Sequence, residues 1–262
     1  MPSGPLLQGR SVVISGVGPG LGRKLALRCA DEGARLTLGA RSAEYLDSVA
    51  KEVRAAGGEA ICVPTDVSKA EDCRKLIDAA VKAYGGINGL VNSAYKFETG
   101  AFESADLDTW RAAMDVSCFG ALQLAQYALP HLRERQGAIV NVGTVSTRVS
   151  TPGGGGYTIP KAALDMATRQ IAFEVGPSGV RVNGALMGWM DGEPLRKGFA
   201  SRAEARGISA EQLEADMTKA IPLGRFPRDE ECAGAVLFLL SDLSSAMTGA
   251  LIHVNGGQYM VP

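Results

Sequence analysis

Histidine is almost missing from this sequence: only His131 and His253 occur in 262 residues. His131 lies in LPHLRER, which reads as a helix end with cations near the negative end of the dipole. Neither histidine is placed as a general base. There is no G-x-S-x-G elbow either, which disfavours a Ser-His-Asp hydrolase. Cysteine is sparse and scattered, with Cys29, Cys62, Cys73, Cys118 and Cys232 forming no C-x-x-C pair. That spacing argues against a zinc knuckle, a redox dithiol or a disulfide framework, and no metal site is expected. An excess of either charge is absent too: 27 Lys and Arg face 28 Asp and Glu, for a net charge of -1. No basic field exists to hold a nucleic acid or an anionic membrane, and neither partner is expected. Long apolar runs are missing, the longest near the C-terminus being AVLFLL, and MPSGPLLQGR lacks the charged start and apolar run of a signal peptide. A cytoplasmic protein is expected.

What is present is an alternation. Short β-branched runs (SVVIS, ARLTLGA, EAICVPT, INGLVNS, GAIVNVGT, GVRVNGAL, ALIHVNG) are separated by segments of helical period, the longest from about Leu107 to Glu134. Strands separated by helices imply βαβ crossovers, and continuously apolar strands imply burial on both faces of a parallel sheet. The spacing therefore predicts an α/β fold, a doubly wound parallel sheet of about seven strands with helices on both faces. No linker-like stretch divides the chain, so residues 1–262 are expected to form one domain. Residues 192–222 break the rhythm. Two capping boxes, Ser201 with Glu204 and Ser209 with Gln212, predict two short helices joined at Gly207 and acting as a lid over a ligand.

After the first strand comes SGVGPGLGR. A G-x-G-x-x-G pattern fails there, and the spacing that fits is Gly16-x-x-x-Gly20-x-Gly22, with Gly18 between. Such a turn lets backbone approach a diphosphate held by free amides at a helix start. The second strand ends LTLGARS. Ala40 offers no carboxylate to an adenosine ribose, whereas Arg41 can pair with a 2′-phosphate, so NADP(H) is expected in preference to NAD(H).

The third feature is GGGGYTIPKAAL. A four-residue spacing puts Tyr157 and Lys161 on one helix face. At about 4 Å and an effective dielectric near 20, an ammonium stabilises a phenolate by roughly 4 kcal/mol. At about 1.4 kcal/mol per pKa unit, that would bring the tyrosine towards neutrality and supply an acid/base without histidine. Pro160 between them leaves two options, a helix that begins close to Tyr157 or one kinked there.

Together SGVGPGLG, PTDVS, LVNSA, YTIPK, VRVNGALMG, IPLGRF and MTGALIHVNGG resemble the short-chain dehydrogenase/reductase family over essentially the whole chain. The resemblance implies a Rossmann fold that interconverts a secondary alcohol and a ketone by hydride transfer with NAD(P)(H). Tyr157 would be the acid/base, with Lys161 lowering its pKa and holding the nicotinamide ribose. By the same carry-over Gly16, Gly18, Gly20, Leu21, Gly22, Arg41 and Ser42 would meet the phosphates and ribose. Asp66 and Val67 would lie at the adenine, Asn92, Ser93 and Ala94 along the cofactor, and Gly188 and Met190 near the nicotinamide. A homotetramer or homodimer is implied as well.

The departures from the family pattern concern the substrate end. Thr144 stands where the family has the serine that binds the substrate oxygen, with Ser146 in reserve. Ser117 stands where an asparagine usually connects the lysine to solvent. Tyr95 replaces a glycine, Met187 a proline, and Gly192 a threonine that contacts the nicotinamide. Tyr95, Phe97, Val145, Met187, Trp189 and Met190 are expected to border a pocket for a lipophilic or cyclic substrate. The altered positions also admit a second reading, a catalytically impaired NAD(P)-binding regulatory or scaffold protein. The intact Tyr157 and Lys161 speak against it. Enoyl reductases related to the family space tyrosine and lysine more widely, and epimerases usually have a longer chain.

Overall fold

β1 (Ser11–Ser15), β4 (Gly89–Asn92) and β5 (Ala138–Thr144) are buried along their whole lengths, as their unbroken apolar patterns require. The structure, a computed structural model, describes residues 4–260. With β2 (Arg35–Ala40), β3 (Glu59–Pro64), β6 (Arg181–Met187) and β7 (Leu251–Val254) these strands form one seven-stranded sheet in the order β3-β2-β1-β4-β5-β6-β7. Every pairing is parallel. The order reverses between β1 and β4, and such a reversal opens a crevice beyond the carboxyl ends of the strands.

Helices cover both faces, as the alternation predicts. On one side α1 (Leu21–Asp31), α2 (Ala43–Ala55) and α9 (Asp229–Leu240) bury Leu25, Val49 and Val236 against β1 and β5. On the other, α3 (Ala70–Tyr84), α5 (Gly120–Arg135) and α6 (Gly155–Val175) bury Leu76, Leu124 and Ala172. The long helix expected from Leu107 is α4 (Leu107–Met114) running into α5 through a π-helical segment, Asp115–Phe119. Cys29, Cys73, Cys118 and Cys232 are buried and Cys62 half-buried, all unpaired.

The excursion does hold two helices, α7 (Glu193–Glu204) and α8 (Ala210–Thr218), with Gly207 between them at φ +65°. Ser209 caps α8 by accepting from the Gln212 amide at 3.1 Å. Ser201 is a correction: it lies inside α7, whose N-cap is Gly192. Pro194 at the start of α7 satisfies the helix without an amide, so the cap is Gly192, well before the position the serine signal suggests. The pair has its own apolar cluster, built on Leu195, Phe199 and Leu213.

Candidate active site

The glycine turn takes the shape its spacing requires. Gly16 and Gly20 adopt φ +82° and +89°, where a side chain is strained, and a Cβ on Gly16 would run into the backbone of Ala94. A Cβ on Gly22 would stand 2.5 Å from the Gly16 carbonyl, so α1 can pack this close to the turn only without one. At Gly18 an added Cβ meets nothing within 4 Å. The Leu21 and Gly22 amides have no acceptor among the described residues. Open space faced by free amides at a helix start suits a diphosphate.

Beyond the turn, Arg41 is exposed and has no acceptor among the described residues. Ser42 caps α2 through the Tyr45 amide, 3.2 Å away. The Asp66 carboxylate accepts from the Ser68 hydroxyl (2.7 Å) and amide (3.1 Å), and these bonds, with Lys69 and Arg41 nearby, hold it below the usual carboxylate range. Val67 is buried against Gly120. Asn92 is buried and donates to the Asn141 side chain (2.9 Å), which donates to Thr168 (2.9 Å). This ladder ties the end of β4 to β5 and α6. Ser93 is buried and Ala94 half-buried beside it. The free Leu21 and Gly22 amides, with Arg41 beyond them, are donors that fit the phosphates of a nicotinamide dinucleotide.

At the end of β5 the chain meets α6. The helix begins at Gly155, two residues before Tyr157, which puts Pro160 inside it and past the first turn. The glycines before Tyr157 make room for Trp110 of α4: a Cβ on Gly155 or Gly156 would stand 2.5 or 2.8 Å from its ring. Tyr157 is half-buried, 5.0 Å from the Phe97 ring centroid and 6.0 Å from that of Tyr95. Lys161 is 2 % exposed, donates to the Val142 carbonyl at 2.7 Å, and has its Nζ 5.8 Å from the Tyr95 ring centroid. Thr144 is buried next to them, exchanging hydrogen bonds with Ser146 at 3.2 Å.

The electrostatics reverse one expectation. Burial pushes the Tyr157 phenol up to about 12, opposed by the Thr144 hydroxyl and aided by Tyr95. Burial also drives Lys161 down to about 8, with Asp165 and Cys118 pulling it back up. Lys161 is not among the groups that move the tyrosine; desolvation of the phenolate is the largest effect on it.

Two further placements correct or sharpen the reading. Met187 is 3 % exposed and packs with the core on the α1 and α9 side, in register with Thr144 of β5. Ser117, 1 % exposed in the π-helical segment, accepts the Lys96 amide at 3.0 Å and thereby fixes the loop after β4. Val145 is buried and Ser146 half-buried; Trp189 is 38 % exposed under the Arg202 guanidinium, 5.1 Å from its centroid. Gly188 packs on Asn255 and Gln258, and Met190 is half-buried on the core.

Sequence reasoning passed over Asp165, although it continues the four-residue spacing of Tyr157 and Lys161. It is 4 % exposed, accepts from Thr147 Oγ1 (2.7 Å) and pairs with Arg148 (3.3 Å). The same Thr147 hydroxyl lies 2.9 Å from the Thr144 carbonyl, so Asp165 ties α6 to the turn that carries Thr144.

Residues 16–258 match the family described as enoyl-(acyl carrier protein) reductase. An uncharacterized oxidoreductase of Methylorubrum extorquens is 34% identical over 252 residues, which covers 96% of this chain and 98% of that one. A 3-oxoacyl-[acyl-carrier-protein] reductase of Staphylococcus aureus is 30% identical over 253 residues, with 96% and 98% covered. Among solved structures, a short-chain dehydrogenase/reductase from Serratia marcescens superposes with a TM-score of 0.85 at 28% identity, covering 97% of this chain and 99% of its own.

Proposed function

Because the chain belongs to the short-chain dehydrogenase/reductase family, we propose that it is an NADPH-preferring ketoreductase in which Tyr157 protonates the carbonyl oxygen of a lipophilic substrate. The observation that carries this reading is the joint placement of Tyr157, Lys161 and Thr144 where α6 meets the end of β5. The bound dinucleotide would supply the hydride. A phenol whose pKa is pushed up to about 12 is protonated throughout the neutral range, so the proton that the reducing direction consumes is on the oxygen. Thr144 would hydrogen-bond the same oxygen, and Lys161, anchored on Val142, would place a positive charge behind the phenolate that remains after transfer. Tyr95 and Phe97, more than half exposed beside Tyr157, offer the substrate an aromatic wall. The lid reading is supported by Pro194, which lies 3.1 Å from the position of a Cβ on Gly20 and so brings the start of α7 against the glycine turn.

The test follows NADPH and NADH oxidation with aliphatic, cyclic and steroid-like ketones, comparing wild type with Tyr157→Phe. Oxidation that depends on Tyr157 supports the reductase; tight NADPH binding with no turnover of any ketone supports the binding-protein reading. For the cofactor, Arg41→Ala is expected to weaken NADPH binding tenfold or more, the worth of one charge-assisted hydrogen bond of about 1.5–3 kcal/mol, and to leave NADH binding unchanged. Equal losses for both would overturn the 2′-phosphate assignment. Thr144→Ala is expected to lower kcat by about 10²-fold, the typical cost of one oxyanion donor, with Ser146→Ala close to wild type. The reverse ranking would move the role to Ser146.

Association of copies through the long helices is supported by Ile159, Met166 and Phe173 of α6, exposed at 50%, 56% and 83% and spaced by seven residues, which puts them on one face.

A further inference from the structure

The glycine turn has a charged neighbour from the far end of the chain. Asp229, the first residue of α9, is 4 % exposed, and among the described residues its carboxylate accepts no hydrogen bond. Its Oδ2 lies 3.1 Å from where a Cβ on Gly20 would stand, and it fills the space a side chain on Gly192 would need. The carboxyl is thus wedged between the glycine turn and the first residue of the lid. A cavity of about 520 Å³ opens beside it, lined by Gly20, Gly192 and charged side chains of α1, α2, α7 and α9.

The cations around this cavity are already committed. On α1, Arg23 pairs with Glu52 of α2 and Lys24 with Glu230 of α9. On α7, Arg196 pairs with Asp191 and with Glu214 of α8, while Arg228 next to Asp229 leans on Glu231. The Glu193 carboxylate is held by Lys197. Asp229 is left uncompensated, and burial, with Glu230 and Asp191 adding to it and Lys24 opposing, pushes it up to about 6. A buried carboxylate without a partner keeps its proton to a higher pH than an exposed one.

A dinucleotide on the Leu21 and Gly22 amides would bring a diphosphate next to Gly20. We propose that Asp229 is a determinant of dinucleotide affinity: carrying its proton it tolerates the diphosphate against the turn, and ionised it opposes it. The inference rests on the reading of the glycine turn as the cofactor site. Binding then favours the protonated carboxyl, so association takes up a proton and affinity falls as pH rises above about 6, by at most tenfold per pH unit.

The experiment titrates NADPH by fluorescence against wild type and Asp229→Asn from pH 5 to pH 8. The ratio of their Kd values cancels the titration of the cofactor's own 2′-phosphate. The ratio is expected to be near one at pH 5 and to reach about tenfold in favour of Asp229→Asn by pH 7.5. Glu230→Gln, an exposed substitution, is expected to move the midpoint of the wild-type rise to lower pH and covers the case in which Asp229→Asn fails to fold. A flat ratio, weaker binding by Asp229→Asn, or an unmoved midpoint in Glu230→Gln overturns the assignment while leaving the cofactor reading intact. No NADPH binding by any of the three proteins at any pH overturns both.

Discussion

Tyr157→Phe is expected to lower the rate of NADPH-dependent ketone reduction by about 10²–10⁴-fold, the range that a positioned general acid contributes. The substitution removes one oxygen and keeps the ring, so its contacts with Phe97 and Tyr95 persist and the start of α6 stays against Trp110. NADPH affinity should change by less than about threefold, since a single hydroxyl bond is worth about 1 kcal/mol. The two numbers together carry the argument: kcat must collapse while Kd holds. Reduction that survives in Tyr157→Phe would assign the proton to another donor, with Thr144 and Tyr95 the remaining hydroxyls beside the ring. Loss of both kcat and binding would point to a damaged site and leave the role of Tyr157 unsupported.

The second large effect concerns Lys161. Lys161→Met is expected to reduce turnover by at least about 10²-fold and to change the pH dependence of stability. The ammonium is 2 % exposed, and burial lowers its pKa from 10.5 to about 8. Between those values the unfolded chain holds a proton that the folded chain has released, so folding is favoured increasingly as pH rises from about 8 to 10.5. A shift of that size corresponds to about 3 kcal/mol. Methionine has no such titration, and the loss of the donor to Val142 is a constant offset. The difference in unfolding free energy, wild type minus Lys161→Met, should therefore rise by about 3 kcal/mol between pH 7 and pH 11 in urea titrations. A difference that stays flat would show that Lys161 is solvated in the folded protein and that its low pKa is wrong.

The buried lysine is the place where stability and activity conflict. A chain selected for stability alone would put an apolar residue at 161, because a desolvated ammonium with one carbonyl partner costs more than it returns. Its retention, one turn after Tyr157 and one turn before Asp165, is what the proposed reaction requires. Asp165 offsets part of that cost by raising the lysine back towards its ordinary value, and its own burial is relieved by Thr147 and Arg148.

The sequence by itself determined the order of elements, the parallel sheet and the glycine turn, because these depend on short-range rules. Apolar runs flanked by amphipathic segments can bury their strands only between two helix layers, and φ near +80° at Gly16 and Gly20 is open to few residues but glycine. It also determined that Tyr157 and Lys161 share a face, which follows from helical pitch alone. Tertiary structure decided the rest. Whether Ser201 caps a helix depended on where α7 starts, and Pro194 and Gly192 set that start. How deeply Met187 is buried depended on what α1 and α9 pack over the end of β6. The protonation of Tyr157, and the pairing of Asp229 with Gly20 and Gly192, are sums over groups far apart in the chain. Desolvation and close approach have no period that a sequence could display; they exist only once the layers have closed around the site.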